Sequence, residues 1–158
     1  HHSTSEQAGQ QLAGAWIMRA RFVGYGLGTL LASLVDWPTR PVVRAALIVF
    51  GLGLVGTAIW SNASIFPDVS SDAHEDWLHS VASGIVGTAF AAACAARLFA
   101  PGGSKRDVLA WLGLVISVAI PLAMGMWPDF RGLSQRTMFG FSFVFVAREF
   151  IASGRKPD

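Results

Sequence analysis

The stretch PVVRAALIVFGLGLVGTAIW, residues 41 to 60, carries one charged side chain, Arg44, among its twenty residues. A helix needs about 20 predominantly apolar residues to cross the roughly 30 Å of hydrocarbon in a bilayer. Inside lipid the backbone must satisfy its own hydrogen bonds, and a helix does so within one segment. The length and composition of this stretch therefore predict a transmembrane helix.

Four further stretches have the same character, and they are residues 15–37, 77–100, 107–127 and 136–153. Hydrophobic residues make up 53% of the chain and charged residues 14%, whereas soluble domains are about one quarter charged. The charges collect at the ends of the apolar runs. We therefore predict an all-α fold, a polytopic transmembrane helical bundle with five spans in this chain.

The net charge of +2 is small. The chain has no basic stripe and no interleaving of aromatic and basic residues, so nothing indicates a nucleic-acid partner. The lipid bilayer is the expected surrounding of the helices.

Within the first span, Gly24 and Gly28 form a GxxxG pattern. The pattern favours close helix packing in membranes, and ordinary small residues explain it equally well. Arg19 and Arg21 on the same span point about 200° apart around a helix. One of them can face the bundle, and the other is expected to extend its charged end toward the headgroups.

The basic residues predict the orientation of the bundle. One side of the predicted topology collects most of the 12 Lys and Arg residues: Arg40, Arg44, Arg97, Lys105, Arg106, Arg148, Arg155 and Lys156. Loops rich in Lys and Arg remain in the cytoplasm. We therefore expect a multi-pass protein of the cell inner (cytoplasmic) membrane, with residues 1–14 as an extracytoplasmic loop and residues 154–158 as a cytoplasmic tail.

The first eleven residues, HHSTSEQAGQQ, contain no Met and no signal peptide. Two interpretations are open. The leading histidines are the remnant of a tag, or a first helix precedes residue 1 in the full protein and this segment is its exit loop.

The polar stretch SSDAHEDWLHS, residues 70 to 80, lies between two apolar runs. His74 and His79 are five positions apart, which is the wrong spacing for the two zinc-binding histidines of an HExxH helix. Asp72, Glu75 and the neighbouring Asp76 suit a helix N-terminus, where acidic side chains are favoured.

If the helix begins near Asp76, then Asp76, His79 and Ser83 share one face. A His and a carboxylate one turn apart can bind zinc or relay a proton. His79 lies within the predicted span, and polar groups at such a depth face the bundle interior or a cavity. A structural hydrogen bond to a neighbouring helix is the alternative.

Several short motifs occur in a familiar order: SEQAG near the start, IFPD after the second span, WLHS at the start of the third, and GLSQR before the last. This order resembles the DUF998 family of six-helix bacterial and archaeal membrane proteins. The resemblance matches Glu6 to a loop acid, Phe66, Pro67 and Asp68 to an "FP.D" element, His79 to a helix-opening histidine, and Gln135 and Arg136 to a late pair. It implies that the first family helix is absent from this chain, and it implies no reaction.

These observations predict a polar ligand-binding pocket at the outer face of the bundle. Its candidate residues are Glu6, Asp68, Asp76, His79, Ser83, Gln135 and Arg136. We predict no catalytic residue, no metal ligand and no cofactor, and three functions remain open. The first is binding of a small ligand, lipid headgroup or proton without catalysis. The second is an accessory role, with glycine-rich helices packing on other membrane subunits. The third is an intramembrane metal-dependent hydrolase.

Overall fold

The computed structural model describes residues 4–35, 40–66 and 68–153, and within these ranges it contains helices and loops but no strand. The helices are α1 (Thr4–Gln7), α2 (Ala15–Leu34), α3 (Pro41–Ile59), α4 (Ala73–Phe99), α5 (Val108–Met126) and α6 (Arg131–Ser153), with a short 3-10 turn at Pro128–Phe130. The predicted tail 154–158, the leading histidines, Pro67 and the last residues of the first predicted span lie outside the described residues.

Three of the described helices, α3, α4 and α5, are long and apolar enough to cross a membrane. Because the described residues form helices and loops without a strand, the all-α prediction is confirmed. The helices α2 and α6 do not belong to this set of three, because each carries arginines that lower its mean hydropathy.

Two helices begin earlier than the predicted spans. Helix α4 begins at Ala73, because Asp72 caps it: the Asp72 carboxylate accepts from the backbone N–H of His74 at 2.8 Å and of Glu75 at 3.2 Å. Helix α6 begins at Arg131, where the 3-10 turn leads directly into it. In both cases the polar first turns precede the apolar run from which the span was predicted.

Helices that follow one another in sequence pack side by side, so that α3 lies between α2 and α4 and α5 lies between α4 and α6. The core is built around aromatic rings in tilted and edge-to-face contact. The rings of Phe50 and Phe90 are 6.1 Å apart between centroids, and those of Phe90 and Phe145 are 5.5 Å apart. These three buried side chains tie α3, α4 and α6 together.

The closest approach of α2 to α3 occurs at Gly26 and Gly51. A Cβ atom added to either glycine would lie 2.8 Å from the carbonyl oxygen of the other, so the two backbones can meet only because both side chains are absent. Gly24 and Gly28 have no atom within 4 Å of an added Cβ. The GxxxG pair is therefore not the α2–α3 contact, and the intervening Gly26 is.

Ion pairs close one end of the bundle, which we call the ion-pair end. Asp107, which precedes α5, accepts from Arg97 at 3.0 Å and from Arg148 at 2.7 Å. Glu149, which is 2% exposed, accepts from Arg148 at 2.7 Å. Arg40 reaches the same end and donates to the backbone carbonyl of Arg97. Three of the basic residues predicted to share one side are thus neighbours.

Candidate functional site

The opposite end of the bundle, which we call the α1 end, carries α1, the α3–α4 loop and the start of α6. The acidic side chains of residues 70–80 hold the α3–α4 loop there. Glu75 accepts from the backbone N–H of Ser61 at 2.8 Å, and Asp76 accepts from that of Ala63 at 2.7 Å. These carboxylates therefore organise the loop backbone.

His79 is buried, with 2% of its surface exposed. Its Nδ1 atom lies 2.8 Å from the carbonyl oxygen of Trp60 and 3.2 Å from that of Thr57. A carbonyl oxygen can only accept, so Nδ1 carries a proton and donates to these carbonyl groups. Nε2 is buried and has no hydrogen-bond partner in the described part of the chain. His79 thus binds the last carbonyls of α3, where a helix leaves acceptors unsatisfied.

Gln10 contributes to the same end, although it was not among the site residues predicted from the sequence. Its amide nitrogen donates to the carbonyls of Ser61 and Asp72, and its amide oxygen accepts from the N–H of Asp72 at 2.7 Å. The side chain is 7% exposed. In the sequence, only its position in the polar run of residues 9–11 could have indicated a buried contact at Gln10.

Gln135 fixes α1 to α6. Its side-chain oxygen accepts from the backbone N–H of Thr4 at 2.7 Å, from the Thr4 hydroxyl and from the N–H of Ser5 at 3.3 Å. Its amide nitrogen donates to the Ser5 hydroxyl at 3.0 Å. The two residues of the predicted pair therefore differ in exposure: Gln135 is 9% exposed, whereas Arg136 lies on the surface.

The structure distributes the seven predicted site residues over several places. Ser83 and Gln135 line a small cavity of about 30 Å³ together with Ser5 and Thr57, which is room for about one water molecule. Asp68 is exposed in the loop, and Glu6 is half-buried in α1. As described above, Asp76 and His79 bind backbone groups, and Arg136 lines a separate groove.

That groove lies between α2 and α6 and has a volume of about 910 Å³. Aromatic side chains meet across it. The rings of Phe22 and Phe139 are 5.5 Å apart, and those of Tyr25 and Phe143 are 5.7 Å apart. The Tyr25 hydroxyl also donates to the hydroxyl of Ser142 at 3.2 Å. Side chains therefore connect the two helices while their backbones stay apart.

Three glycines keep the groove open. Gly24 and Gly28 on α2 and Gly140 on α6 line it, and none has an atom within 4 Å of an added Cβ. All three are exposed. The groove consequently opens onto the surface along the middle of both helices.

Two arginines lie at the end of the groove nearest α1. Arg21 on α2 and Arg136 on α6 line it there, beside Thr4 and Gln7 of α1. They are the only charged side chains among the described residues that line the groove. Arg19 has a different role, because it donates to the carbonyl of Ala8 at 3.2 Å. The two arginines of the first span therefore diverge, as the helical spacing predicted.

No group of three or more His, Cys, Asp or Glu residues is placed to hold a metal ion within residues 4–35, 40–66 and 68–153. Asp76 and the Nδ1 atom of His79 bind backbone partners. The hydrolase hypothesis needed these two groups at a shared metal, and their contacts give it no support.

An all-helical chain with three helices apolar enough to span a bilayer is typical of multi-pass membrane proteins. A family model described as "Protein of unknown function (DUF998)" matches residues 1–148. The chain belongs to the DUF998 family, and the resemblance seen in its motifs is confirmed. Searches of curated proteins and of solved structures found no match.

Proposed function

We propose that all five long helices cross the cytoplasmic membrane, with the ion-pair end in the cytoplasm. Helices α2 and α6 contain 20 and 23 residues and are thus about 30 and 35 Å long. The charges of α6 lie near its two ends, which leaves residues 137–147 uncharged. The concentration of Arg and Lys at the ion-pair end supports this orientation.

We further propose that the protein is a non-enzymatic binding protein whose α2–α6 groove holds a membrane amphiphile. The observation that carries this proposal is the glycine-lined groove of about 910 Å³. Ligand sites are typically about 300–1,000 Å³, mostly apolar, with a few polar groups. The groove has this size and this composition. It opens along the middle of α2 and α6, which on the proposed topology faces the hydrocarbon of the bilayer.

The polar side chains at the α1 end are already engaged within the protein, which favours the groove as the binding site. Gln10, Glu75, Asp76 and Gln135 all hold backbone groups of the same end. Buried polar groups that satisfy one another rigidify a structure. We therefore assign a structural role to these side chains and a binding role to the groove.

Photolabelling of the groove tests the binding proposal. The protein is reconstituted in nanodiscs of phosphatidylcholine that contain a phosphatidylcholine with a diazirine in its acyl chain. After illumination, mass spectrometry identifies the labelled peptides. We expect label on the α6 segment around Phe143, and we expect Gly140→Leu to reduce it because leucine fills the groove.

Gly125→Leu is the matched control, because Gly125 also has open space around an added Cβ and lies outside the groove. Gly28→Leu fills the groove from the opposite helix and repeats the test if Gly140→Leu does not fold. Equal labelling of the Phe143 segment in wild type and in both folded groove variants would contradict the proposal. A stable complex with another membrane subunit, seated on the glycines, would favour the accessory role instead.

A further inference from the structure

The two arginines at the groove end indicate what kind of headgroup the groove accepts. Arg21 and Arg136 lie on opposite walls near the same end, and no acidic residue lines the groove in the described part of the chain. The lining therefore has a positive end and an apolar remainder. An anionic group at that end would be attracted by both guanidinium groups.

Arginine is well suited to this contact. Its planar guanidinium presents several N–H donors in a fork that matches the oxygens of a phosphate or carboxylate. Arg21 lies more than one turn inside α2, where a charged side chain without a counterion is costly in a membrane. A bound anion in the groove reduces this cost.

The length of the groove suits an acyl chain. From Arg136 to Phe150 the groove follows α6 for about 21 Å at 1.5 Å per residue. One leaflet contributes roughly 15 Å of the hydrocarbon core. A chain that hangs from a headgroup at the arginines can therefore lie along the groove past Gly140 and Phe143.

The charge at the arginine end favours a lipid over a helix from a partner protein as the occupant of the groove. Apart from Arg21, Arg136 and a few polar side chains, the lining is apolar. A partner helix would need an acidic side chain at the level of these two arginines within an otherwise apolar face. An anionic lipid combines a charged headgroup and apolar chains in one molecule.

We propose that the α2–α6 groove binds a lipid with an anionic headgroup, with Arg21 and Arg136 contacting the headgroup and the acyl chain lying against the glycines. This inference rests on the proposed binding function and adds the charge of the ligand to it.

Native mass spectrometry of the full chain tests the headgroup preference. The protein is released from nanodiscs that contain phosphatidylglycerol and phosphatidylcholine with equal acyl chains in equal amounts, and retained lipids are counted by mass. We expect phosphatidylglycerol to be retained roughly tenfold more than phosphatidylcholine, and Arg21→Gln or Arg136→Gln to remove most of that preference.

Arg131→Gln is the matched control, since Arg131 is an exposed arginine at the same end that does not line the groove. It should leave the preference unchanged. Equal retention of the two lipids, or an equal loss in Arg131→Gln and Arg21→Gln, would overturn the inference. Displacement of phosphatidylglycerol by inorganic phosphate at millimolar concentration would also overturn it, because the acyl chain would then contribute nothing.

The Gly140→Leu variant separates this inference from the binding proposal. If it lowers the retention of both lipids equally and wild type shows no preference, the groove binds lipid and only the anionic assignment fails. If it changes neither lipid, the binding proposal fails with it. A doubled protein mass after release, lost in Gly140→Leu, would assign the groove to a second copy of the chain and overturn both.

Discussion

The Nδ1 atom of His79 donates to the backbone carbonyl of Trp60 across 2.8 Å, which ties the second turn of α4 to the residue that follows α3. The imidazole is buried, so losing the side chain removes the donor from carbonyl groups inside the bundle. The histidine that stands out in the sequence thus has a defined structural contact between two helices.

We expect His79→Ala to destabilise the fold by about 1–3 kcal/mol, because it leaves buried carbonyl groups without their donor. Thermal unfolding in detergent, followed by loss of the helical circular dichroism signal, measures the change. His74→Ala is the control, since His74 lies on the same helix but is exposed. Unchanged thermal stability of His79→Ala would show that the contact contributes nothing.

The two glycine positions of α2 predict opposite outcomes. In Gly26→Ala the new Cβ lies 2.8 Å from the carbonyl oxygen of Gly51, so α2 and α3 must separate and the free energy of unfolding should fall by about 1–3 kcal/mol. Gly24→Ala meets no atom within 4 Å and should be neutral or slightly stabilising, because alanine favours helix. Comparable unfolding midpoints for the two variants would contradict the observed packing.

Asp107 predicts a pH dependence. Burial alone would raise the pKa of its carboxyl, but hydrogen bonds from Arg148, from the backbone N–H of Ala110 and from Arg97 outweigh burial and hold the pKa below its ordinary value. A carboxyl with a lowered pKa in the folded state stabilises the protein above its unfolded pKa of about 3.9. That contribution is lost as the pH falls through the lower, folded-state pKa.

The comparison of wild type with Asp107→Asn isolates this effect from the other acids. We expect wild type to be the more stable at pH 7 and the difference in midpoint temperature to shrink below about pH 4. A difference that stays constant from pH 7 to pH 3 would show that the charge of Asp107 does not carry the effect.

Gln135 predicts the behaviour of the amino-terminal segment. In Gln135→Ala, Thr4 and Ser5 lose the side chain that accepts from their backbone N–H groups. We expect amide hydrogen exchange over residues 4–10 to become at least several times faster, because the segment opens locally more often once its hydrogen bonds to α6 are lost. Thr137→Ala, an exposed position on the same helix, should leave this exchange unchanged, and equal rates in all three proteins would refute the role of Gln135.

The sequence was sufficient for the helical class, because an apolar run such as residues 41–60 allows few other structures. It also placed Arg40, Arg97 and Arg148 on one side, since successive spanning helices run in opposite directions and every second connection therefore lies at the same end. It was insufficient for the helix contacts. Gly24 and Gly26 are the same residue type two positions apart, and only the rotation of α2 against α3 decides which one packs.

The site was harder to predict for the same reason. Polar side chains such as Asp76 and Gln135 look alike in a sequence whether they bind a ligand or a backbone N–H group, and the partner is set by the tertiary fold. The GxxxG pair Gly24 and Gly28 lines the groove, but the motif does not predict a groove. The groove arises from the distance between α2 and α6, which are separated by most of the chain.

The bonds of Gln135 to α1 have a consequence for access to the groove. Helix α1 contacts both α2 and α6, and its residues Thr4 and Gln7 border the groove at the two arginines. Residues 4–7 therefore connect the two walls of the groove beside its arginines. Any molecule that entered the groove at this end would pass next to Thr4 and Gln7.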